Sequence, residues 1–502
     1  MRYAYLILIA LVLGLPLVLR QVTLRDANRA STEGQTERLV VVTVHNGDIR
    51  REFARAFGDW YAKTYHQRVV IDYRVPGGTS DMVRFLRGNP SGLDVVWGGG
   101  DYTYYHELQP AGILQPLHID PALLKSAFPQ DTLAGVKLYD ATKDQSGAPT
   151  PQWVGVVLSS FGIIYNPQLY GTLGLEPPQA WADLTNPRLS QLVALADPAH
   201  SGSAAVAYMM VIQRAMADGE QAFFSAHADL AKLPPADLKK RPDYQQAVAD
   251  GWRQGMGQLL LIAANARYFS DSSEVVPTDV GRGEAAAGMA IDFYARVTEG
   301  TVGPERARYI APRAATAITP DAVAILKGTS GRQLTLATRF IEFLLTPEAQ
   351  RLWILEPGQP GGPIERSPRR MPIRLDVYAN QTGWADHFDP FKEAGGFNQR
   401  GEWMALMSDT RPIWDAAWID SREELLATYR RILSVSDPTR RDGLLRELAL
   451  VPVTMRGVEH RRAERLRVEE THADIFDWTA RDRINWGNVF REHYRAVGAR
   501  AQ

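Results

Sequence analysis

The chain contains no cysteine in 502 residues. That one absence excludes disulfides, thiolate metal sites and thiol catalysis. It also suits an oxidising compartment, where stray thiols are a hazard. Net charge is nearly absent too, at −1. Neither a nucleic acid nor an anionic membrane surface is therefore indicated as a partner. Enzyme signatures are missing as well: no G-x-S-x-G, no H-E-x-x-H, no P-loop and no complete G-x-G-x-x-G occurs. The ten histidines show no metal-ligand spacing. His45, at a strand end, reads as a structural histidine. No nucleophile–base pair stands out, so no catalytic residue, metal or cofactor is assigned. A triad assembled only in space would leave no such trace, which keeps an enzyme as the remote alternative.

Long apolar runs are also lacking, with one exception. "MRYAYLILIALVLGLPLVLR" carries a positive start at Arg2 and an apolar run from Ala4 to Leu19. The run is near the short limit for a membrane span and long for a signal core. No clean A-x-A site follows. Residues 1–20 therefore read as either a cleaved signal or a membrane anchor, and 21–37 as a polar linker. Either way the remainder is exported.

The composition, 45% hydrophobic and 23% charged with 12 tryptophans, is that of a globular protein large enough for two or three domains. "LVVVTV" (39–44) reads as a buried strand and ends at His45-Asn46-Gly47-Asp48. Ile49, Phe53, Phe57, Trp60 and Tyr61 then recur at helical spacing. "VVIDYRV" is a second strand and runs into Pro76-Gly77-Gly78-Thr79-Ser80. A helix follows, with Gly88 as its stop. "VVW" (95–97) is a third strand, closed by Gly98, Gly99 and Gly100. Strand, short loop and helix in succession predict a parallel α/β sheet.

The rhythm continues in strands near 154–158, 162–165, 192–196, 288–291 and 322–326. A helix is expected near 259–264 and a helix pair broken at Thr346-Pro347. "EPGQPGGP" (356–363) marks a boundary. Beyond it the chain is charged, tryptophan-rich and helical in pattern, with a capping box expected from Ser421 to Glu424. This part reads as a structural addition; docking to a membrane partner is the sharper alternative.

Several loops share one design, a strand followed by small polar residues and a helix start. Gly78-Thr79-Ser80 and Ser201-Gly202-Ser203 are two; Gly98 to Gly100 is a candidate third. Each helix start offers unpaired N–H groups and the positive end of a dipole. For one loop, plain N-capping accounts for such residues. Recurrence at the same ends of successive strands points instead to an oxyanion site. Asp292, at the mouth of a predicted strand, reads as either an N-cap or a ligand acceptor.

In these stretches the chain resembles the periplasmic solute-binding proteins of bacterial ABC importers, close to the ferric-iron-binding group. The resemblance covers about 38–365. It is carried by "VVVTVHNGDIRREFARAF", "VPGGTSDMVRFL", "LDVVWGGGDYTYYHELQPAGILQPL", "FGIIYNPQLY", "DPAHSGSAAVAY", "VGRGEAAAGMAIDFYARV" and "AITPDAVAIL" with "ATRFIEFLLTPEAQRLW". It implies an α/β, two-lobed type II fold with ligand in the cleft, hinge closure on binding, and a helical C-terminal extension. The implied division is 38–150 with 295–365 as lobe 1, 151–294 as lobe 2, and 366–502 as the extension.

The iron-binding relatives' metal ligands would fall at Ile49 or Asp48, Gly99, Phe293 and Tyr294. At most one metal-binding side chain survives, and ferric iron needs several hard oxygen donors. The relatives' anion loop matches Ser201-Gly202-Ser203, which is intact. The implied ligand is a small oxyanion: a phosphorylated or phosphonate compound, or another organic acid. It would be delivered to an ABC permease. The expected contacts are Asn46, Gly78, Thr79, Ser80, Gly99, Gly100, Ser160, Ser201, Gly202, Ser203, Asp292 and Tyr294. A sensor on the same fold is the second alternative.

Overall fold

The structure is a computed structural model that describes residues 36–88, 90–393, 397–470 and 475–501. The apolar segment 1–20 and nearly all of the linker lie outside these residues. Among the described residues no helix is long and apolar enough to cross a membrane.

Three βα steps open the chain. Strand β1 (Glu37–Thr43) feeds helix α1 (Gly47–Tyr65), β2 (Val69–Arg74) feeds α2 (Thr79–Arg87), and β3 (Val95–Trp97) feeds a short turn of helix, α3 (Gly100–Thr103). The core of β1 is buried on both faces, as a strand flanked by two neighbours must be. Helix α1 buries Ile49, Phe53, Phe57 and Tyr61, a stripe spaced by four residues. Gly88 closes α2 as expected, although with ordinary right-handed backbone.

Strand β4 (Val154–Tyr165) is one continuous, wholly buried element of 12 residues, where the sequence suggested two strands. The elements that follow are β5 (Val193–Ala196), α4 (Gly202–Ala226), α5 (Pro242–Ala264), β6 (Ala266–Ser270), α6 (Val275–Arg282), β7 (Ala287–Ile291), α7 (Asp292–Val302), β8 (Arg308–Ile310) and β9 (Ile318–Ile325). Helices α8 (Gly331–Leu344) and α9 (Pro347–Leu352) break at Thr346-Pro347 as the sequence indicates, with Thr346 capping α9.

The sheet runs β2-β1-β3-β9-β4-β7-β5-β6, with β8 against β4. It is mixed rather than parallel. The outer strands pair in parallel, while β9 and β4 run antiparallel to their neighbours. Residues 154–160 of β4 pair with β9, and 161–165 pair with β7. One strand thus passes from one half-sheet into the other, and β9 returns beside it. Helix α7 and β8 pack with the second half-sheet. Residues 308–310 of β8 pair with 163–165 at the far end of β4.

Helices α4 and α5 lie against each other through glycine. A Cβ on Gly219 or Gly255 would meet Ala247 O or Ile212 Cα at 2.6 Å. Helix α4 is apolar nearly all round because it is covered on both sides. One cover is the C-terminal region: β10 (Met371–Pro372), then α10 (Met407–Trp414), α11 (Arg422–Leu433), α12 (Pro438–Leu448), α13 (Met455–Glu470) and α14 (Ile475–Arg500). Strand β10 pairs with β4 itself. Trp414 and Trp418 are fully buried; the Trp414 indole donates to Met256 Sδ at 3.3 Å, and Tyr429 donates to Asn265 Oδ1 at 2.9 Å. The capping box expected at Ser421 does not form. Its hydroxyl donates instead to Ala416 O at 2.7 Å, because the preceding π-turn leaves that carbonyl free.

A cleft floored by the crossing strands

Where β4 and β9 cross between the half-sheets they floor a cleft of about 640 Å³, with Ser159, Phe161, Thr319 and Asp321 on its surface. Among the described residues, five helices of eight residues or more begin at its walls: α1, α2, α4, α6 and α7. Each contributes first-turn or cap residues to the lining. Chain direction explains the convergence. Parallel strands end at one edge of each half-sheet, so every following helix starts there.

The loops differ in how they are held. Asn46 caps α1 by accepting from Ile49 N at 3.1 Å. Asp81 returns to accept from Gly78 N at 3.1 Å. Ser201 caps α4 through Ala204 N at 3.2 Å, and its hydroxyl lies 3.1 Å from that of Ser203. The three glycines after β3 have φ of +93°, +104° and +76°. That backbone is costly for any residue with a Cβ. Gly98 N donates to Ala322 O at 2.8 Å, locking the turn to β9. At Gly99 a Cβ would also meet Met82 Cε at 2.9 Å.

Of the expected contacts, Asn46, Gly78, Thr79, Gly99, Gly100, Ser201, Gly202, Ser203 and Tyr294 line the cleft. Three do not. Ser80 is turned inward, its hydroxyl buried without a partner. Asp292 and Ser160 are turned toward each other beneath the floor. Asp292 accepts from Ser160 N at 2.9 Å, from Ser160 Oγ at 3.2 Å and from Phe293 N at 2.8 Å. Ser160 is the last β4 residue paired with β9, and Phe161 the first paired with β7. Asp292 therefore staples β4 where it changes half-sheets. Burial pushes its carboxyl up to about 6, against the pull of Arg296 and these hydrogen bonds. Of the positions equivalent to metal ligands, Ile49 is buried at 1% exposure, while Asp48, Gly99, Phe293 and Tyr294 face the cleft.

The charges are mixed. Arg50 and Arg411 are the arginines of the lining, beside Asp48, Asp81, Asp101, Asp271, Glu274 and Asp321. Several of these carboxylates are already answered. Asp48 pairs with Arg51, Asp81 with Arg84, and Asp321 with Arg370. Burial pushes Asp101 up to about 7 and raises Glu274. Asp321 is held low: burial opposes this, but Arg370 beside it prevails. His45 is not the satisfied histidine expected. Its Nε2 has no partner, its ring lies edge-on to Trp97 at 4.4 Å, and burial, with Arg370 nearby, pushes it down to about 3. It is a neutral ring at the cleft wall.

Arg370 escaped the sequence reading. It is fully buried, donates to Ser159 Oγ at 2.6 Å and lies 4.3 Å from the Phe293 ring centre. It ties both crossing strands together from below. Nothing in "SPRRMPIR" marks it, since its role depends on β10 joining β4. Among the described residues, Asp197, His200 and Asp271 are close enough to hold a cation. Their contacts account for them without one: His200 Nδ1 lies 3.2 Å from Asp197 and 3.7 Å from Asp271.

The two lips of the cleft meet. A Cβ on Gly78 would collide with the His200 carbonyl, and one on Gly202 would come within 2.9 Å of Thr79 Cβ. Two half-sheets joined by crossing strands, with a polar cleft between them, are the fold of the type II periplasmic binding proteins. Residues 122–361, just under half of the chain, match the family model for bacterial extracellular solute-binding proteins.

Among relatives, the phosphoglycerate transport regulatory protein PgtC of Salmonella typhimurium is 25% identical over 199 residues, 40% of each chain. The match thus spans well under half of that protein. An uncharacterized protein of Haemophilus influenzae is 28% identical over 181 residues, 35% of this chain and 46% of that one. Among solved structures, the periplasmic binding protein AfuA of Actinobacillus pleuropneumoniae, with fructose 6-phosphate bound, shares the fold. Its TM-score is 0.53 at 18% identity, covering 76% of this chain and 98% of that one.

Proposed function

We propose that this protein captures a small hydroxylated oxyanion, a phosphate ester in the first instance, and delivers it to the permease of an ABC importer. The convergence of five helix N-termini on one cleft carries the reading. Each presents the equivalent of roughly half a positive charge and unpaired N–H groups. Glu274 and Asp321, both in the lining, offer acceptors for hydroxyls on the ligand body. The size of the cleft suits a small metabolite. Gly99, where the iron-binding relatives carry a carboxylate, leaves room for an organic group. The phosphoglycerate in PgtC's name and the fructose 6-phosphate bound by AfuA belong to this chemical class. Binding rather than catalysis, and closure of the lips over the ligand, complete the proposal. The apolar segment at 1–20 would export the domain or tether it to the inner membrane.

The name of PgtC, a transport regulatory protein, favours a second reading in which closure is reported to a signalling partner. The test of the first is a thermal-shift screen of the full chain, purified in mild detergent. Phosphate esters, phosphonates, organic acids, polyamines and ferric salts are the panel. A ligand at a hundred times its Kd adds about 2.7 kcal/mol. A response confined to polyamines or ferric salts would overturn the oxyanion class.

A further inference from the structure

One end of the cleft is closed by helix α10, which lies outside the matched solute-binding domain. Met407 and Arg411 face the cavity together, four residues apart on one helical face. The helix is rooted on the second half of the molecule. Trp414 packs against Tyr208 of α4 with ring centres 5.4 Å apart, and donates to Met256 of α5. It also reaches the first half, where Arg411 lies 3.9 Å from Glu107. So α10 bridges the two walls. Arg411 is only 17% exposed, and its Nε is buried without a partner. A guanidinium has five N–H donors in a planar fork. Among the described residues a single loose carboxylate contact engages it, and the residue lines the cleft.

We infer that the C-terminal helical region completes the solute site and that Arg411 is the cation that engages the ligand's oxyanion. This rests on the oxyanion reading above. It makes the C-terminal region part of the binding machinery. Glu107 then acts as a placeholder, occupying the guanidinium until an anion arrives.

Calorimetric titration with glycerol 3-phosphate, fructose 6-phosphate and inorganic phosphate tests this on the full chain. Arg411→Gln is expected to weaken a probe bound by the unaltered protein about 10- to 100-fold, the effect of losing a charged hydrogen bond. The unbound melting temperature should hold. Arg411→Lys should fall between. Glu107→Gln should act in the opposite sense and tighten binding, because it removes the competing carboxylate. It also keeps the inference testable if Arg411→Gln misfolds. If the unaltered protein binds a probe and Arg411→Gln binds it equally, the inference fails while the cleft reading stands. Equal weakening by Arg411→Gln and Glu107→Gln would show a structural bridge and overturn it. If the unaltered protein binds no probe, the oxyanion reading falls and this inference falls with it.

Discussion

Gly78→Ala isolates lobe closure from folding. The backbone at Gly78 has φ −73° and ψ −178°, which alanine adopts without strain. Within its own loop the added methyl is tolerated. Across the cleft it runs into the carbonyl of His200, a backbone atom that cannot rotate aside. Restoring ordinary contact requires the lips to part by on the order of 1 Å. Overpacking of this kind costs about 1–3 kcal/mol, here charged only to the closed state. Ligand affinity should fall about 5- to 150-fold. With lobes that open and close as proposed, the unbound variant relieves the clash by opening, and its melting temperature should hold or rise slightly, since alanine narrows the unfolded ensemble. Calorimetry with the best ligand from the screen gives the affinity. Spin labels on two introduced cysteines, one per lobe, give the distance; the cysteine-free background makes labelling clean. Affinity within twofold of the unaltered protein, with an unchanged bound-state distance, would refute the reasoning.

Further outcomes follow from the same geometry. Gly98→Ala and Gly100→Ala, at φ +93° and +76°, should each cost roughly 1–2 kcal/mol in urea unfolding. Asp292→Asn should lower stability by about 1–3 kcal/mol through the broken Ser160 contacts. Lost affinity at unchanged stability would instead place Asp292 in the ligand site. Asp101, lifted by burial to about 7, is ionised above that pH and protonated below it. A carboxylate repels an anion only when ionised, so oxyanion affinity should rise as pH falls from about 8 to about 6, and Asp101→Asn should flatten that profile. Trp414→Ala should destabilise by about 3–5 kcal/mol, because it opens a cavity where α10 seats on α4 and α5.

Local signals carried much of this architecture. The β-branched run at 39–44, the Phe53–Phe57 periodicity and the Thr346-Pro347 break read directly, because each depends on neighbours in sequence. The loops at 78–79, 99–100 and 201–203 were also visible, since helix starts and glycine turns are written locally. Less visible was the single passage of β4 through both half-sheets. The Ser159-Ser160 pair inside it resembles a turn until Asp292 and Arg370 satisfy its polar atoms from beneath. Asp292 itself looked like a ligand acceptor because it ends a strand at the cleft; its rotamer, turned inward to Ser160, depends on a partner 132 residues away. Arg370 and Arg411 were missed for the same reason. They come from a region without motif signals; only tertiary packing brings Arg411 to the cleft and Arg370 beneath its floor.

The central claim is that the cleft selects its solute by an oxyanion held at converging helix N-termini. Paired calorimetric titrations test it most directly, each phosphate ester against its dephosphorylated parent, with putrescine and a ferric salt as cationic controls. The account predicts one-to-one binding of at least one ester and no measurable heat from its parent. Equal binding of ester and parent, or a response to the cations alone, would contradict it.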